Sequence, residues 1–170
     1  QRQMCIRDRS ITELFPLIAF EKKYNPRDIT AFHQFLIDQD VKKLKCVSPK
    51  DIKAAEETIN KADTSTKFND KMANAIGVLK YIKQEDRNKK IKGLMWGYRG
   101  KPAGVPEKHP GDLYITYNDN KILGVSLKAG GKKTSEPQLN TYIGKIFREF
   151  KDRDYPVSYT HLRAHETIHY

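Results

Sequence analysis

Between Gly111 and Gly130 the chain reads GDLYITYNDNKILGVSLKAG, two alternating runs joined by a polar break. This stretch constrains the fold most, because side chains alternate across a strand and the pairing register decides which of them meet the core. In the second run Leu123, Val125, Leu127 and Ala129 share one face, while Gly124, Ser126 and Lys128 share the other. A three-residue loop, Asn118-Asp119-Asn120, pairs Tyr117 with Lys121 and sets Asp112 opposite Ser126. An even loop would pair Asp112 with Leu127 and turn it away. Asparagine at position 120 suits the left-handed residue of the odd loop, so the odd register is expected.

The rest of the chain is periodic in a different way. Ile11 to Lys23 is apolar, with Pro16 limiting any continuous helix. Pro26 to Gln39 places Ile29, Phe32, Phe35 and Leu36 on one helical face. Ser48-Pro49 reads as the cap and first-turn proline of a third helix. Lys67 to Lys83 is the strongest helix, burying Phe68, Met72, Ile76, Leu79, Tyr81 and Ile82. Ile91 to Tyr98 reads as a strand, and 100–111 as a loop rich in Gly, Pro and charge. Ser135 is expected to cap a last helix, Glu136 to Phe150, with Gln138 completing a capping box. The expected fold is α+β. It has N-terminal helices over 10–66, then a 67–155 core with a small mixed sheet, a central hairpin and a C-terminal helix.

Both ends read differently. QRQMCIRDR (1–9) and VSYTHLRAHET (157–167) resemble translated adapters of transposase-made sequencing libraries, with Ile168 to Tyr170 where an index would fall and Pro156 at the junction. On this reading 1–9 and 156–170 are adapter-derived, and Ser10 to Tyr155 is a fragment of a longer gene. Removing four Arg, one Asp and one Glu from 32 basic and 21 acidic residues leaves 28 and 19, a net charge of +9. His161, His165, His169 and Cys5 leave the discussion with these ends, so a C-terminal histidine metal site is excluded and Cys46 stands alone. One cysteine gives neither a disulfide nor a thiolate metal site, and it reads as a packed thiol. No apolar run reaches membrane-spanning length, so no membrane partner is expected. The basic balance fits a polyanionic partner, or a lysine-rich solvated surface.

A lysine beside a serine on one face of an apolar strand, with an aspartate opposite, suits phosphodiester hydrolysis. A carboxylate holds Mg²⁺, and a lysine places positive charge where negative charge grows on phosphorus. Mg²⁺ keeps several waters and borrows substrate oxygens, so one carboxylate is a thin but workable holder. PGDLYI followed by GVSLKAG resembles the PD-(D/E)xK nuclease superfamily, in the variant with serine where the second acid normally stands. Over Ile11 to Tyr155 the stretches FPLIAF, WGYRGKPAGVP and GVSLKAG…EPQLNTY also resemble uncharacterised proteins of large tailed bacteriophages.

The nuclease resemblance implies an α/β restriction-endonuclease-like fold, with Asp112 as the first motif acid, Lys128 as the motif lysine and Ser126 in place of the second acid. The superfamily usually adds an acid from the helix before the first strand. Asp70 fits that helix as a second metal ligand, and also reads as an ordinary exposed helix acid. Glu136 is the other displaced carboxylate, and also reads as a first-turn stabiliser of its helix. Arg99, Lys101, Lys108, Lys132 and Lys133 could grip phosphates, and each reads equally as solvated charge. AGGKKTS lacks the first glycine and the Ser/Thr of a phosphate-binding loop. His109 is given no role, and Trp96 and Tyr98 are expected in the core. The expectation is a metal-dependent endonuclease acting on DNA with Mg²⁺ or Mn²⁺, in the host cytoplasm or the virion. The alternative is a non-catalytic nuclease-fold protein that binds DNA or serves virion assembly.

Overall fold

The computed structural model describes residues 2–62, 68–128 and 157–163, and side chains within 10–62 and 68–127. The long first helix, α1 (Arg2–Glu21), runs straight through Pro16. This corrects the expectation that proline would limit it. An internal proline costs about 3 kcal/mol. Leu14, Phe15, Leu17 and Ile18 are all fully buried around it, and each contributes about 1.5–3 kcal/mol by leaving water. Burial wins. The 14–19 stretch is apolar and buried all round, as at the centre of a domain, and α1 packs against α2, α3, α4 and β1. The chain turns out of it at Lys23, whose φ of 54° is left-handed, with the Tyr24 N–H returned to the Ala19 carbonyl.

Helix α2 (Ile29–Ile37) is capped by Asp28, whose carboxylate accepts the Ala31 N–H at 2.7 Å. It buries Phe32 and Leu36. Ser48 and Pro49 do open the third helix, first as a 3₁₀ turn (Pro49–Asp51) and then as α3 (Ile52–Asn60). The cap differs from the expected one, because the Ser48 hydroxyl donates to the Asp51 carboxylate at 2.5 Å instead of accepting from backbone. Helix α4 (Phe68–Lys89) extends past the expected Lys83. Its polar last turns are useful: the Asp86 side chain accepts the Ile91 N–H and steers the chain into β1.

Strands β1 (Ile91–Trp96), β2 (Leu113–Tyr117) and β3 (Ile122–Lys128) form an antiparallel meander. A fourth, β4 (Val157–Arg163), runs parallel beside β3, so the sheet is mixed, in the order β1-β2-β3-β4. β4 lies inside the stretch that reads as adapter sequence, and the core and cleft residues named below all lie outside it. The fold class is α+β. One hydrophobic cluster joins the helices to Leu113, Ile115, Leu123 and Val125, so the 10–66 and 67–128 regions share a core. The expected helix 136–150 lies outside the described residues. Among the described residues, no helix is long and apolar enough to cross a membrane.

The hairpin takes the odd register. The Tyr117 N–H donates to the Lys121 carbonyl at 2.9 Å, and Asn120 sits at φ 62°. Leu113 faces Val125, so the preceding residue, Asp112, stands against Ser126.

Candidate active-site cleft

Register brings Asp112 to its place, and backbone holds it there. Its N–H donates to the Val125 carbonyl at 2.8 Å, and its carbonyl accepts the Gly97 N–H at 2.8 Å. Gly97 is needed for that approach: a Cβ there would lie 2.4 Å from the Gly111 oxygen. The Asp112 side chain turns toward β3, where Oδ2 accepts the Leu127 N–H at 2.6 Å. The other carboxylate oxygen, Oδ1, has no hydrogen bond among the described residues.

Asp112 lines a cleft of about 240 Å³ together with Ser10, Glu13, Gly97, Tyr98, Lys101 and the 109–111 turn. Glu13 enters from α1 and is 7% exposed, and its Oε2 accepts the Trp96 indole N–H at 3.0 Å. Lys101 reaches in from the 97–112 loop. Its ammonium donates to the carbonyls of Gly97 (2.6 Å) and Gly111 (3.2 Å) and stands 5.0 Å from the Tyr114 ring centre. Desolvation lowers its pKa, while the charges of Asp112, Glu13 and Asp51 act the other way. The cleft therefore holds two carboxylates and one partly desolvated ammonium.

Behind it, His109 and Tyr114 close the second face of the sheet. His109 Nδ1 lies 2.8 Å from the Tyr114 hydroxyl and accepts the Gly111 N–H at 3.2 Å. A nitrogen that accepts carries no proton, so the ring proton is on Nε2. Burial, reinforced by Lys101, lowers the His109 pKa to about 4, so the ring is neutral near pH 7. Gly124 of β3 makes room for it: a Cβ there would lie 2.7 Å from His109 Cε1. Ser126 is 1% exposed, and its hydroxyl has no hydrogen-bond partner among the described residues.

The expected residues separate clearly. Asp112 and Ser126 are brought together, and the Lys128 backbone continues the same strand two residues on. Asp70 is exposed in the first turn of α4 and does not line the cleft. Lys101 belongs to the cleft rather than to open surface, whereas Arg99 and Lys108 are exposed beside it. Glu136, Lys132, Lys133 and the Lys128 side chain lie outside the described residues and side chains. Trp96 is wholly buried, and Tyr98 stacks on it at 5.0 Å. Cys46 is a packed thiol whose pKa burial drives up.

Two residues were missed. Glu13 left a signal: a lone acid heading LFPLIAF, a run otherwise free of charge, has to find a polar partner or a function. His109 left none, since nothing in EKHPGD tells a surface histidine from one folded under a sheet.

Among the described residues, no group of three or more His, Cys, Asp or Glu side chains converges as a metal cage. No family model, no curated protein and no solved structure matches the chain.

Proposed function

We propose that the chain is a PD-(D/E)xK-like phosphodiesterase acting on DNA, with Asp112 at the centre of its site. The observation that carries this reading is the hairpin register. It sets Asp112 against Ser126, on the strand that continues to Lys128, at the edge of a cleft holding a second carboxylate and an ammonium. The donor chemistry fits a hard cation that keeps most of its waters, with Asp112 and Glu13 as its protein ligands. Asp112 and Glu13 would hold Mg²⁺ or Mn²⁺ there, which would polarise a phosphate oxygen and acidify a bound water. Lys101 places positive charge in the same cleft, and Lys128 supplies a second on the motif strand. Neutral His109, held under the sheet, keeps Gly111 and so the approach to Asp112 fixed.

Three observations favour the non-catalytic alternative. Asp112 Oδ2 is committed to the Leu127 N–H and Glu13 Oε2 to the Trp96 indole, and serine stands in the place of the second motif acid.

The test is plasmid nicking by the full chain in Mg²⁺, Mn²⁺ or EDTA, beside Asp112→Asn, Glu13→Gln and Lys128→Ala. Asparagine still accepts the Leu127 N–H through its amide oxygen, so Asp112→Asn keeps the strand contact while removing the charge. Metal-dependent nicking lost in Asp112→Asn, with an unchanged melting temperature, is the expected result. A folded wild-type protein that retains DNA without cutting it in either metal would replace this reading with the binding one.

A further inference from the structure

We propose that Lys45, Lys50 and Lys53, with Arg99, form a basic rim that holds the phosphate backbone of duplex DNA beside the acidic cleft. This rests on the nuclease-type reading and adds to it the surface by which the substrate is gripped. The cleft itself cannot do this work, since its two carboxylates repel phosphate.

The rim is placed by contacts between two segments. The Trp96 N–H donates to the Cys46 carbonyl at 2.8 Å. Further on, the Ser48 Cβ lies 2.8 Å from where a Cβ on Gly100 would stand. Residues 46–51 therefore run along 96–100, and Gly97, Tyr98 and Lys101 line the cleft. Lys45, Lys50 and Lys53 lie at or close to the ends of that strip, all exposed. Arg99 is exposed on the adjoining segment, its guanidinium 5.1 Å from the ring centre of Tyr98.

The charge there is offset only at one end, where the Glu21 carboxylate accepts the N–H groups of Lys45 and Cys46 at 2.8 and 2.9 Å. The one acid within 42–53 is Asp51, which is wholly buried and receives the Ser48 hydroxyl. Asp40, just before, is taken by Lys43 at 3.2 Å. Lys45, Lys50 and Lys53 have no ion pair among the described residues. Exposed Lys108 precedes His109 and Pro110, which also line the cleft. Exposed cations next to the segments that line an acidic cleft match a strand whose phosphates continue past the bond to be cut, and phosphate contacts of this kind position without reading sequence.

The test uses the full chain in EDTA, where binding is separated from cleavage, and a short labelled DNA duplex titrated across a salt series. Lys45→Gln/Lys50→Gln/Lys53→Gln is compared with Lys90→Gln/Lys92→Gln/Lys121→Gln, three lysines at the opposite end of the sheet. Both remove the same charge, so a general loss of net charge cancels, and melting curves check that both fold. The rim variant is expected to bind at least about tenfold more weakly, with the slope of log K on log salt reduced by about 2–3. The control is expected to change less than about twofold. Equal losses in the two variants, or no duplex binding by the wild type, overturn the rim. Rim-dependent binding without metal-dependent nicking leaves the rim standing and removes the nuclease reading. Nicking with binding indifferent to the rim does the reverse.

Discussion

Leu113, Ile115, Leu123 and Val125 leave the hairpin on one side and enter the hydrophobic core shared with the helices. Tyr114 and Gly124 leave it on the other side and meet His109, on a loop. Both faces exclude water, but by different means. The helix face is filled by apolar volume, which is non-directional and tolerates few voids. The loop face is filled by one imidazole, one phenol and an ammonium, held by directional bonds to backbone. Asp112 lies on the second kind of face, and the cleft opens where the two meet, with Glu13 entering from α1.

Four measurements would break or sharpen this contrast. Ile115→Ala should cost about 2–5 kcal/mol in denaturant unfolding, the full cavity penalty of a packed face. A much smaller loss would mean that the helix face is loosely filled. The loop face should instead respond to acid. His109 has a folded pKa of about 4 against an ordinary 6.5, so the unfolded chain binds more protons between those values. Its contribution is complete above pH 6.5 and is lost as pH falls toward 4, about 3 kcal/mol in all. Unfolding curves across that window should lose this slope in His109→Gln, whatever that variant costs at pH 7. Gly124→Ala comes next, at about 1–3 kcal/mol, because its methyl group collides with the imidazole. A neutral result would show that the loop yields. Ser126→Ala should change stability by less than about 1 kcal/mol, since the hydroxyl removed has no partner among the described residues. A large loss would reveal a partner on that side.

The same contrast explains what could be read from sequence. Period-two alternation and Asn120 were enough to set the hairpin register, since both are local properties. The stripes of α2 and α4 were legible for the same reason. Pro16 misled because its local cost is outweighed by burial around α1, which is a property of the whole domain. The site divided along the same line. Asp112 and Ser126 are neighbours by register. Glu13 is brought to the cleft by the packing of α1 on β1, and Lys101 by the folding of its own loop back on Gly97 and Gly111. Asp70, on the helix chosen from sequence order, stays in solvent.

Lys101 has one further consequence. By binding the carbonyls of Gly97 and Gly111 with a single ammonium, it draws both feet of the loop together and leaves Ala103 and Gly104 exposed at the tip. Once the feet are tied, added residues cost only chain entropy, about 0.6 kcal/mol for each doubling of length. The tip is thus free to grow or change while the cleft beneath it keeps its shape, which makes it the natural site for grafting a new recognition element.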